Sequence, residues 1–360
     1  MSGQDYEALL RAHRARYPLM EAQDCIKLLY QSEFGPMHLG ENREMLMNSI
    51  AEEWKTVPEA ALPVEPERIG GGLCRFPLRH GAFCPEAARL LAGLMQQTML
   101  HCQGSSERLR QRLERLGTVQ PDLCRWLSQT AWDYTSPVQH SAQFRAAYQP
   151  HYRLLRQEYA GYFPLLLRIA QEMRKKRPLL VAIDGCCGSG KTQLAALLQA
   201  LFPSRVFHTD HYYLPIEKRA MDWQQQPAGN MDLERLRTEV IQPAQADATV
   251  YQRVFDCAAQ QLGQPQAVAP APLSIVEGSY SLHPMLADAY DMRIFLTCSE
   301  QEQKTRLQAR EGTYYEVFER VWIPMEKLYY TECDPLSYHP LVIDTSSFFL
   351  RVIGHALYIK

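Results

Sequence analysis

The spacing of apolar positions changes about halfway along the 360-residue chain. Up to about residue 172, apolar residues recur every three or four positions, which is typical of amphipathic helices. The periodic stretches are 24–30, 43–54, 85–100, 106–116 and 144–173. Strand-like alternation is almost absent here, so the sequence predicts an all-α domain over residues 1–173.

Beyond residue 174, short apolar runs alternate with segments long enough to be crossover helices or loops. The runs have the length and the β-branched content of buried parallel strands. They are 179–183, 205–208, 273–276, 292–296 and 341–343. This alternation predicts an α/β domain over residues 174–360 with a parallel, doubly wound sheet of about five strands. Ligands of such a sheet bind beyond the carboxyl ends of its strands.

The basic segment 174–178 lies between the two patterns and is interpreted as the domain boundary. A nucleic-acid-binding patch is the alternative, but so short a charged run is usually a solvated helix end. The net charge of −2 provides no general attraction to nucleic acid or anionic membranes. The N-terminus lacks the features of a signal peptide, and no apolar run is long enough to span a bilayer. We therefore expect a cytoplasmic protein without nucleic-acid or membrane partners.

Two polar and aromatic clusters occur in the helical half, at 30–38 and 140–152. They could line a pocket, but His38, His140 and His151 lack metal-ligand spacing, so hydrogen bonding between helices is the favoured interpretation. The glycine run at 70–72 is a loop in which the backbone could approach a ligand closely.

The segment 185–192, Gly-Cys-Cys-Gly-Ser-Gly-Lys-Thr, fits the phosphate-binding pattern G-x-x-x-x-G-K-[ST]. It follows a predicted strand and precedes good helix formers, as a P-loop does. Backbone N–H groups and the positive end of the helix would hold a phosphate there. Lys191 would reach the β- and γ-phosphates, and the Thr192 hydroxyl would bind Mg²⁺. The predicted nucleotide-binding residues are Gly185, Gly188, Ser189, Gly190, Lys191 and Thr192.

Two carboxylates follow predicted strands, Asp210 after the second and Glu277 after the third. Such positions converge on the P-loop crevice in a doubly wound sheet. Phosphoryl transfer to an alcohol needs one carboxylate to orient or deprotonate the hydroxyl and another group to help hold Mg²⁺. Either residue alone could be a helix N-cap or a loop carboxylate. Together with the P-loop they favour catalytic and metal-binding roles.

Several ordered segments resemble successive motifs of the uridine kinase and phosphoribulokinase superfamily. They are His-Thr-Asp-His-Tyr-Tyr-Leu-Pro at 208–215, Gly-Asn-Met-Asp at 229–232, Tyr-Gln-Arg-Val-Phe-Asp at 251–256 and Val-Glu-Gly-Ser-Tyr at 276–280. The resemblance covers roughly residues 178–345, about half of the chain. It implies a P-loop kinase that uses ATP and Mg²⁺ to phosphorylate a small molecule with a hydroxyl group.

The resemblance also implies roles for individual residues. Asp210 stands at the Asp of the family's Asp-Ser-Phe-Tyr motif, which implies a catalytic base near Mg²⁺, and Glu277 is implied as the acid that organises Mg²⁺. Asp210 is thereby also placed among the metal-site residues. The acceptor-binding positions implied by the family are Asp232, Tyr251, Arg253 and Asp256.

Arg306 and Arg310 lie one helical turn apart in a stretch similar to the family's arginine-bearing lid. Arginines closing over the transferred phosphoryl group would neutralise charge and exclude water, so both are predicted to be catalytic. The alternative is that they are solvated arginines paired with Glu302 or Glu311.

The sequence therefore predicts a kinase whose leading acceptor is a nucleoside such as uridine or cytidine. Pantothenate, glycerate and sugar phosphates are alternative acceptors, and a nucleotide-dependent regulatory switch is the alternative from another functional class. The helical half fits no motif, so its role stays open between shaping the acceptor pocket, a second activity and assembly of a homo-oligomer.

Overall fold

The computed structural model describes residues 3–37, 40, 42–78, 84–175, 178–347 and 351–353. His38 and residues 176–177 of the predicted boundary lie outside the described residues. The chain divides into two compact units, Met1–Phe163 and Pro164–Lys360. The division lies within the helix Gln157–Met173, about ten residues before the boundary that the sequence predicts after residue 173.

The N-terminal unit is mainly helical. Asn42, Ser105 and Ser141 each accept a hydrogen bond from the backbone N–H three residues later, so these side chains cap the helices that follow them. The helices are α1 (Gly3–Arg16), α2 (Ala22–Phe34), α3 (Arg43–Lys55), α4 (Pro85–Leu100), α5 (Ser106–Gly117), α6 (Pro121–Thr130), α7 (Ala142–Tyr148) and α8 (Gln157–Met173), the last of which crosses the division.

This unit also contains a small antiparallel sheet, so the prediction of an all-α domain is wrong in this respect. The sheet has the order β1-β2-β3 and consists of β1 (Glu67–Gly70), β2 (Leu73–Pro77) and β3 (Tyr152–Arg156). The predicted helix over 144–173 is interrupted by β3. Gln149, with a φ of 43°, and Pro150 end α7, because neither continues a helix.

The hydrophobic core of the N-terminal unit collects side chains from the helices and the sheet. Tyr17, Leu28, Leu29, Phe144 and Leu154 are among its buried members. The sheet is short, and its pairing joins residues 73–77 to residues 152–156. Because strand partners so far apart are set by packing, local periodicity did not reveal them.

The C-terminal unit is built on a six-stranded sheet of order β13-β12-β11-β4-β10-β5. Neighbouring strands from β12 to β5 are parallel, which confirms the predicted five-stranded parallel sheet, and β13 pairs antiparallel at the edge. The strands are β4 (Leu179–Gly185), β5 (Ser204–His208), β10 (Leu273–Glu277), β11 (Met292–Thr297), β12 (Leu341–Asp344) and β13 (Arg351–Ile353).

Helices and two small hairpins complete this unit. Strand β6 (Val250–Gln252) pairs with β9 (Gln266–Val268), and β7 (Phe255–Asp256) pairs with β8 (Gln261–Leu262). No helix among the described residues is both long enough and apolar enough to cross a bilayer. The helices are α9 (Lys191–Leu201), α10 (Leu233–Leu236), α11 (Gln242–Gln245), α12 (Glu300–Glu311), α13 (Tyr315–Val317) and α14 (Ile323–Cys333).

Candidate active site

The loop between β4 and α9 has the backbone of a phosphate-binding loop. Gly185, Gly188 and Gly190 all have positive φ angles, of 139°, 76° and 97°. A Cβ atom on Gly185 would lie 1.9 Å from the carbonyl oxygen of Leu296, so a side chain does not fit there. The hydroxyl of Ser189 is buried and has no hydrogen-bond partner among the described residues. The loop thus combines this buried hydroxyl with the N-terminus of α9, which suits a phosphate.

The side chain of Lys191 folds back over this loop. Its Nζ donates to the carbonyl oxygens of Gly185 (2.7 Å) and Cys186 (3.1 Å) and lies 3.4 Å from the Ser279 hydroxyl. Burial lowers the pKa of Lys191, but the nearby carboxylates, led by Glu326, outweigh this and raise it. Lys191 is therefore a cation held at the loop.

Glu277, the last residue of β10, connects the loop to the neighbouring strand. In the sheet register it lies opposite Ile183 of β4 on one side and His208 of β5 on the other. Its Oε1 accepts a hydrogen bond from the Thr192 hydroxyl (3.1 Å) and contacts His208 Nδ1 at 2.5 Å. The hydrogen bond to Glu277 raises the pKa of His208, which favours its charged form. Glu277 is thus a buried carboxylate beside the P-loop hydroxyl.

Asp210 follows β5 in a short 3₁₀ turn, Thr209–His211, and its side chain is exposed. The hydroxyl of Tyr213 donates to Asp210 Oδ1 (3.1 Å). The negative charges of both Asp210 and Glu277 help to raise the pKa of His208, after its direct hydrogen bond to Glu277. The structure therefore brings Asp210, Glu277, Thr192 and Lys191 to one end of the sheet, as the sequence predicts for parallel strands.

A carboxylate that the sequence analysis missed lies at the P-loop. Both oxygens of Glu326, on α14, accept from the Cys187 N–H (3.0 and 2.9 Å), and Oε1 accepts from the Ser279 hydroxyl (2.6 Å). Glu326 is buried. An anion thus already contacts a loop amide in this structure, as expected of a loop that stabilises negative charge.

A second missed residue supports the strand beneath the loop. The carboxylate of Asp184 accepts from the Gly185 and Leu282 N–H groups and from the Tyr329 hydroxyl. Burial raises the pKa of Asp184 to about 6 despite these hydrogen bonds. Position 184 directly precedes the glycine loop, which is the signal that could have identified it.

The two predicted lid arginines occupy different surroundings. Arg306 donates to Glu302 (2.9 Å), to the Gly188 carbonyl oxygen (3.2 Å) and to the Thr345 hydroxyl (3.0 Å). Arg310 donates to Glu311 (2.5 Å) and is largely exposed. Both carboxylate pairings of the alternative interpretation are therefore present, although Arg306 also contacts the P-loop backbone. The catalytic role of either arginine stays a prediction.

The four predicted acceptor-binding residues are mostly engaged with protein groups. Asp232 caps α10 and contacts Arg235 Nε (3.1 Å). Arg253 donates to Glu239 (2.7 Å), whereas Asp256 accepts from the backbone N–H groups of residues 258 and 259. Tyr251 is 61% exposed. The described contacts do not join these residues to Lys191 or Asp210, so their binding roles also stay predictions.

Polar atoms without partners occur beside Asp210. The segments 212–214 and 230–232 pair through backbone hydrogen bonds and the bridge Tyr213–Met231. The Nδ1 of His211 and the Oδ1 of Asn230 are buried and have no hydrogen-bond partner among the residues that the structure describes. Buried polar atoms are normally satisfied, so both atoms can accept contacts from a ligand.

Comparison with known proteins yields structural matches over about half of the chain. A possible uridine kinase from Bacillus stearothermophilus is 20% identical and matches over 48% of this chain and 95% of its own, with a TM-score of 0.37. A candidate fructose transport system kinase from Silicibacter sp. TM1040 is 21% identical over 49% and 91%, with a TM-score of 0.35. The protein TT1252 from Thermus thermophilus is 16% identical over 48% and 90%, with a TM-score of 0.26.

No family model matches the chain, and no curated protein matches it. The assignment of a P-loop α/β fold to the C-terminal unit therefore rests on its strand order and on the geometry of the glycine loop.

Proposed function

We propose that the C-terminal unit is an ATP-dependent kinase that transfers the γ-phosphoryl group to a hydroxyl of a small molecule. The observation that carries this proposal is the position of Glu277. Its carboxylate contacts the P-loop hydroxyl of Thr192 on one side and His208, two residues before Asp210, on the other. Glu277 therefore links the predicted nucleotide-binding loop to the end of β5, and the candidate base Asp210 lies in the turn that directly follows that strand. Phosphoryl transfer to an alcohol needs such a base close to the bound phosphates.

The donor atoms present suit Mg²⁺. Thr192 and Glu277 would hold it with oxygen atoms, and a bound Mg²⁺ would supply charge neutralisation at the β- and γ-phosphates. Among the described residues no group of three or more His, Cys, Asp or Glu forms a metal site. A kinase-type Mg²⁺ site needs only one or two carboxylates because the nucleotide phosphates provide further ligands.

Asp210 would orient the acceptor hydroxyl and take its proton. Its carboxylate is exposed and is contacted by the Tyr213 hydroxyl, so it can accept a further hydrogen bond from an incoming alcohol. Lys191 would shift from the carbonyl oxygens of Gly185 and Cys186 to the phosphates. The phosphates would also replace the Glu326 carboxylate at the Cys187 amide, because the two anions repel each other there.

The acceptor that we propose is a nucleoside such as uridine or cytidine. Two arginines near the predicted acceptor-binding residues are already compensated by carboxylates, Arg235 by Asp232 and Arg253 by Glu239, which supports a neutral acceptor over a sugar phosphate. The buried, unpaired His211 Nδ1 and Asn230 Oδ1 would be satisfied by acceptor hydroxyl or base-edge groups. Pantothenate and glycerate are the competing acceptors to test.

The experiment is an acceptor screen with the purified full chain, ATP and Mg²⁺. ADP formation and the mass of the product are measured with nucleosides, pantothenate, glycerate and pentose phosphates, and a Lys191→Ala preparation controls for contaminating kinases. Nucleoside-dependent ADP formation, absent from the control, is the expected result. Transfer only to another alcohol would keep the kinase and reject the nucleoside. Nucleotide binding without acceptor-stimulated turnover would reject the kinase in favour of a regulatory switch.

A further inference from the structure

The N-terminal unit contains a cavity of about 280 Å³ that is separate in sequence from the P-loop. Its walls come from the C-terminal end of α2, the turn between β1 and β2, the start of α5 and the end of β3. Its lining is polar and carries three guanidinium groups, those of Arg108, Arg112 and Arg156. Positive charge is thus concentrated in one concave site.

One buried carboxylate orients two of these arginines. Glu33 Oε1 accepts from Arg108 Nε (2.9 Å) and from the Ser105 N–H (3.0 Å), and Glu33 Oε2 accepts from an Arg112 terminal nitrogen (2.8 Å). The Arg112 guanidinium also lies 4.1 Å from the centre of the Tyr6 ring, which fixes its plane. Both arginines are therefore preorganised at the wall of the cavity.

The lining keeps an excess of positive charge. Arg156 is paired with Glu158, which does not line the cavity, and its side chain is about one third exposed. With Glu33 and Glu158 both counted, three arginines face two carboxylates. A guanidinium has five N–H donors, and the contacts of Arg112 to Ser32 and Glu33 use only part of that set. Unused N–H donors of Arg112 and a net positive charge of the arginine cluster therefore remain available to bind an anion.

The glycine run noted in the sequence forms another wall. Gly71 and Gly72 have φ angles of 61° and 75°, so they form a tight hairpin turn that side chains other than glycine adopt poorly. A Cβ atom on Gly71 would lie 2.3 Å from the Ser32 carbonyl oxygen, whereas a Cβ atom on Gly72 would meet nothing within 4 Å. The turn packs against α2 and presents bare backbone to open space at the cavity.

We propose that this cavity binds a small oxyanion, either a phosphate or a carboxylate group of a metabolite. Arginine guanidinium groups and exposed backbone N–H groups bind both phosphates and carboxylates through charge-assisted hydrogen bonds. The volume lies just below the usual range for small-molecule sites, which suits a compact ligand. The N-terminal unit is thereby a ligand-binding module with its own specificity, whatever the acceptor of the kinase site is.

Cys102 provides a local test because it lines the cavity and is only partly buried. The full chain is alkylated with iodoacetamide at fixed ionic strength, and peptide mass spectrometry follows Cys102 with inorganic phosphate, succinate or chloride alone. Phosphate or succinate should slow Cys102 alkylation by about tenfold at ten times its dissociation constant. The exposed Cys124 is the internal control, and the Cys186–Cys187 peptide reports P-loop occupancy.

Variants assign the effect to the arginines. Arg156→Gln and Arg108→Gln should each weaken protection of Cys102 by about 10–100-fold in dissociation constant, as expected for one charge-assisted hydrogen bond. Arg115→Gln removes the same charge from an exposed position of α5 outside the cavity and should leave protection unchanged. Melting curves confirm that each variant is folded.

The identity of the protecting anion decides the ligand class. Protection by phosphate alone assigns a phosphorylated ligand, and protection by succinate alone assigns a carboxylate. No protection by either anion, or equal protection in Arg156→Gln, Arg108→Gln and the unaltered chain, overturns the proposal. Protection of the Cys186–Cys187 peptide without protection of Cys102 would place phosphate at the P-loop only, and also overturns it.

Discussion

The two units bury polar side chains in different ways. In the N-terminal unit, Arg75 donates to Gln31, whose amide donates to Tyr152, and the Tyr152 hydroxyl lies 2.7 Å from His140 Nε2. The other ring nitrogen of His140 lies 2.7 Å from Asp24. Each polar group in this network therefore has another protein group as its hydrogen-bond partner. Such a network holds elements together.

In the C-terminal unit, the buried polar groups gather around a loop instead. Lys191, Glu277 and Glu326 all contact P-loop residues, and Ser189 has a buried hydroxyl with no partner among the described residues. The contacts of Lys191 and Glu326 to backbone groups can be exchanged for contacts to a phosphate. In this unit a buried charge indicates a binding role where its partners, like those of Lys191 and Glu326, can be exchanged for a ligand.

The largest expected effect concerns the base of the proposed kinase. Asp210→Asn should lower kcat by about 10²–10⁴-fold, because a neutral amide cannot take the acceptor proton. Nucleotide affinity should change much less, which steady-state kinetics with direct binding measurements will show. Asp222→Asn, at an exposed position in the same segment, is the matched control. If the variant lost nucleotide affinity but kept its kcat, Asp210 would instead be a metal-binding or structural residue.

Removing the loop cation should be nearly as severe. Lys191→Ala should lower turnover by about 10²–10³-fold, since a preorganised donor to the transferred group is lost. The midpoint of thermal unfolding should shift little, because the contacts of Lys191 are to loop carbonyls rather than to the apolar core. Lys218→Ala, at an exposed lysine, serves as the control. Unchanged turnover would contradict the assignment of the P-loop.

Acid should weaken the N-terminal unit through His140. Burial lowers its pKa to about 3, whereas an unfolded imidazole titrates near 6.5. Between these values the unfolded chain binds a proton that the folded chain does not, so stability falls as the pH falls through this window. From pH 7 to pH 5 the loss of unfolding free energy from this residue is about 2 kcal/mol.

Urea unfolding of the full chain at both pH values measures this effect. His140→Gln, which cannot titrate, should show a pH dependence smaller by that amount. His151→Gln is the matched control, because His151 pairs with Glu53 and is more exposed than His140. An equal pH dependence in the His140→Gln variant and the unaltered chain would show that folding does not lower the pKa of His140.

The smallest effect tests whether Glu326 competes with phosphate. Glu326→Gln removes a negative charge from the Cys187 amide, so ATP should bind about 3–10-fold more tightly. Isothermal titration calorimetry measures the affinity, and Glu332→Gln, on the same helix and exposed, is the control. Weaker binding by the Glu326→Gln variant would instead make the carboxylate part of the nucleotide site.

Much of the C-terminal unit could be predicted because its strands and its glycine loop are each indicated by a short, continuous stretch of sequence. All five parallel strands lie at the predicted apolar runs, and the glycine loop lies between strand and helix as its eight-residue pattern requires. Asp210 and Glu277 could be placed together because parallel strands end at one edge. The roles of Asp232, Arg253 and Asp256 could not be tested in the same way, because their side chains bond to nearby protein groups.

The sequence by itself determined the periodic helices, the individual strands of the parallel sheet and the phosphate loop, since each depends on residues close together in the chain. Only the tertiary structure decided which distant groups meet. Glu326 contacts an amide 139 positions away, and His140 contacts Asp24 across 116 positions. The three-stranded sheet likewise pairs β2 with a strand that local periodicity assigned to a helix. Packing of the whole unit selects such partners, because the sequence of a short segment does not specify which distant residues will contact it.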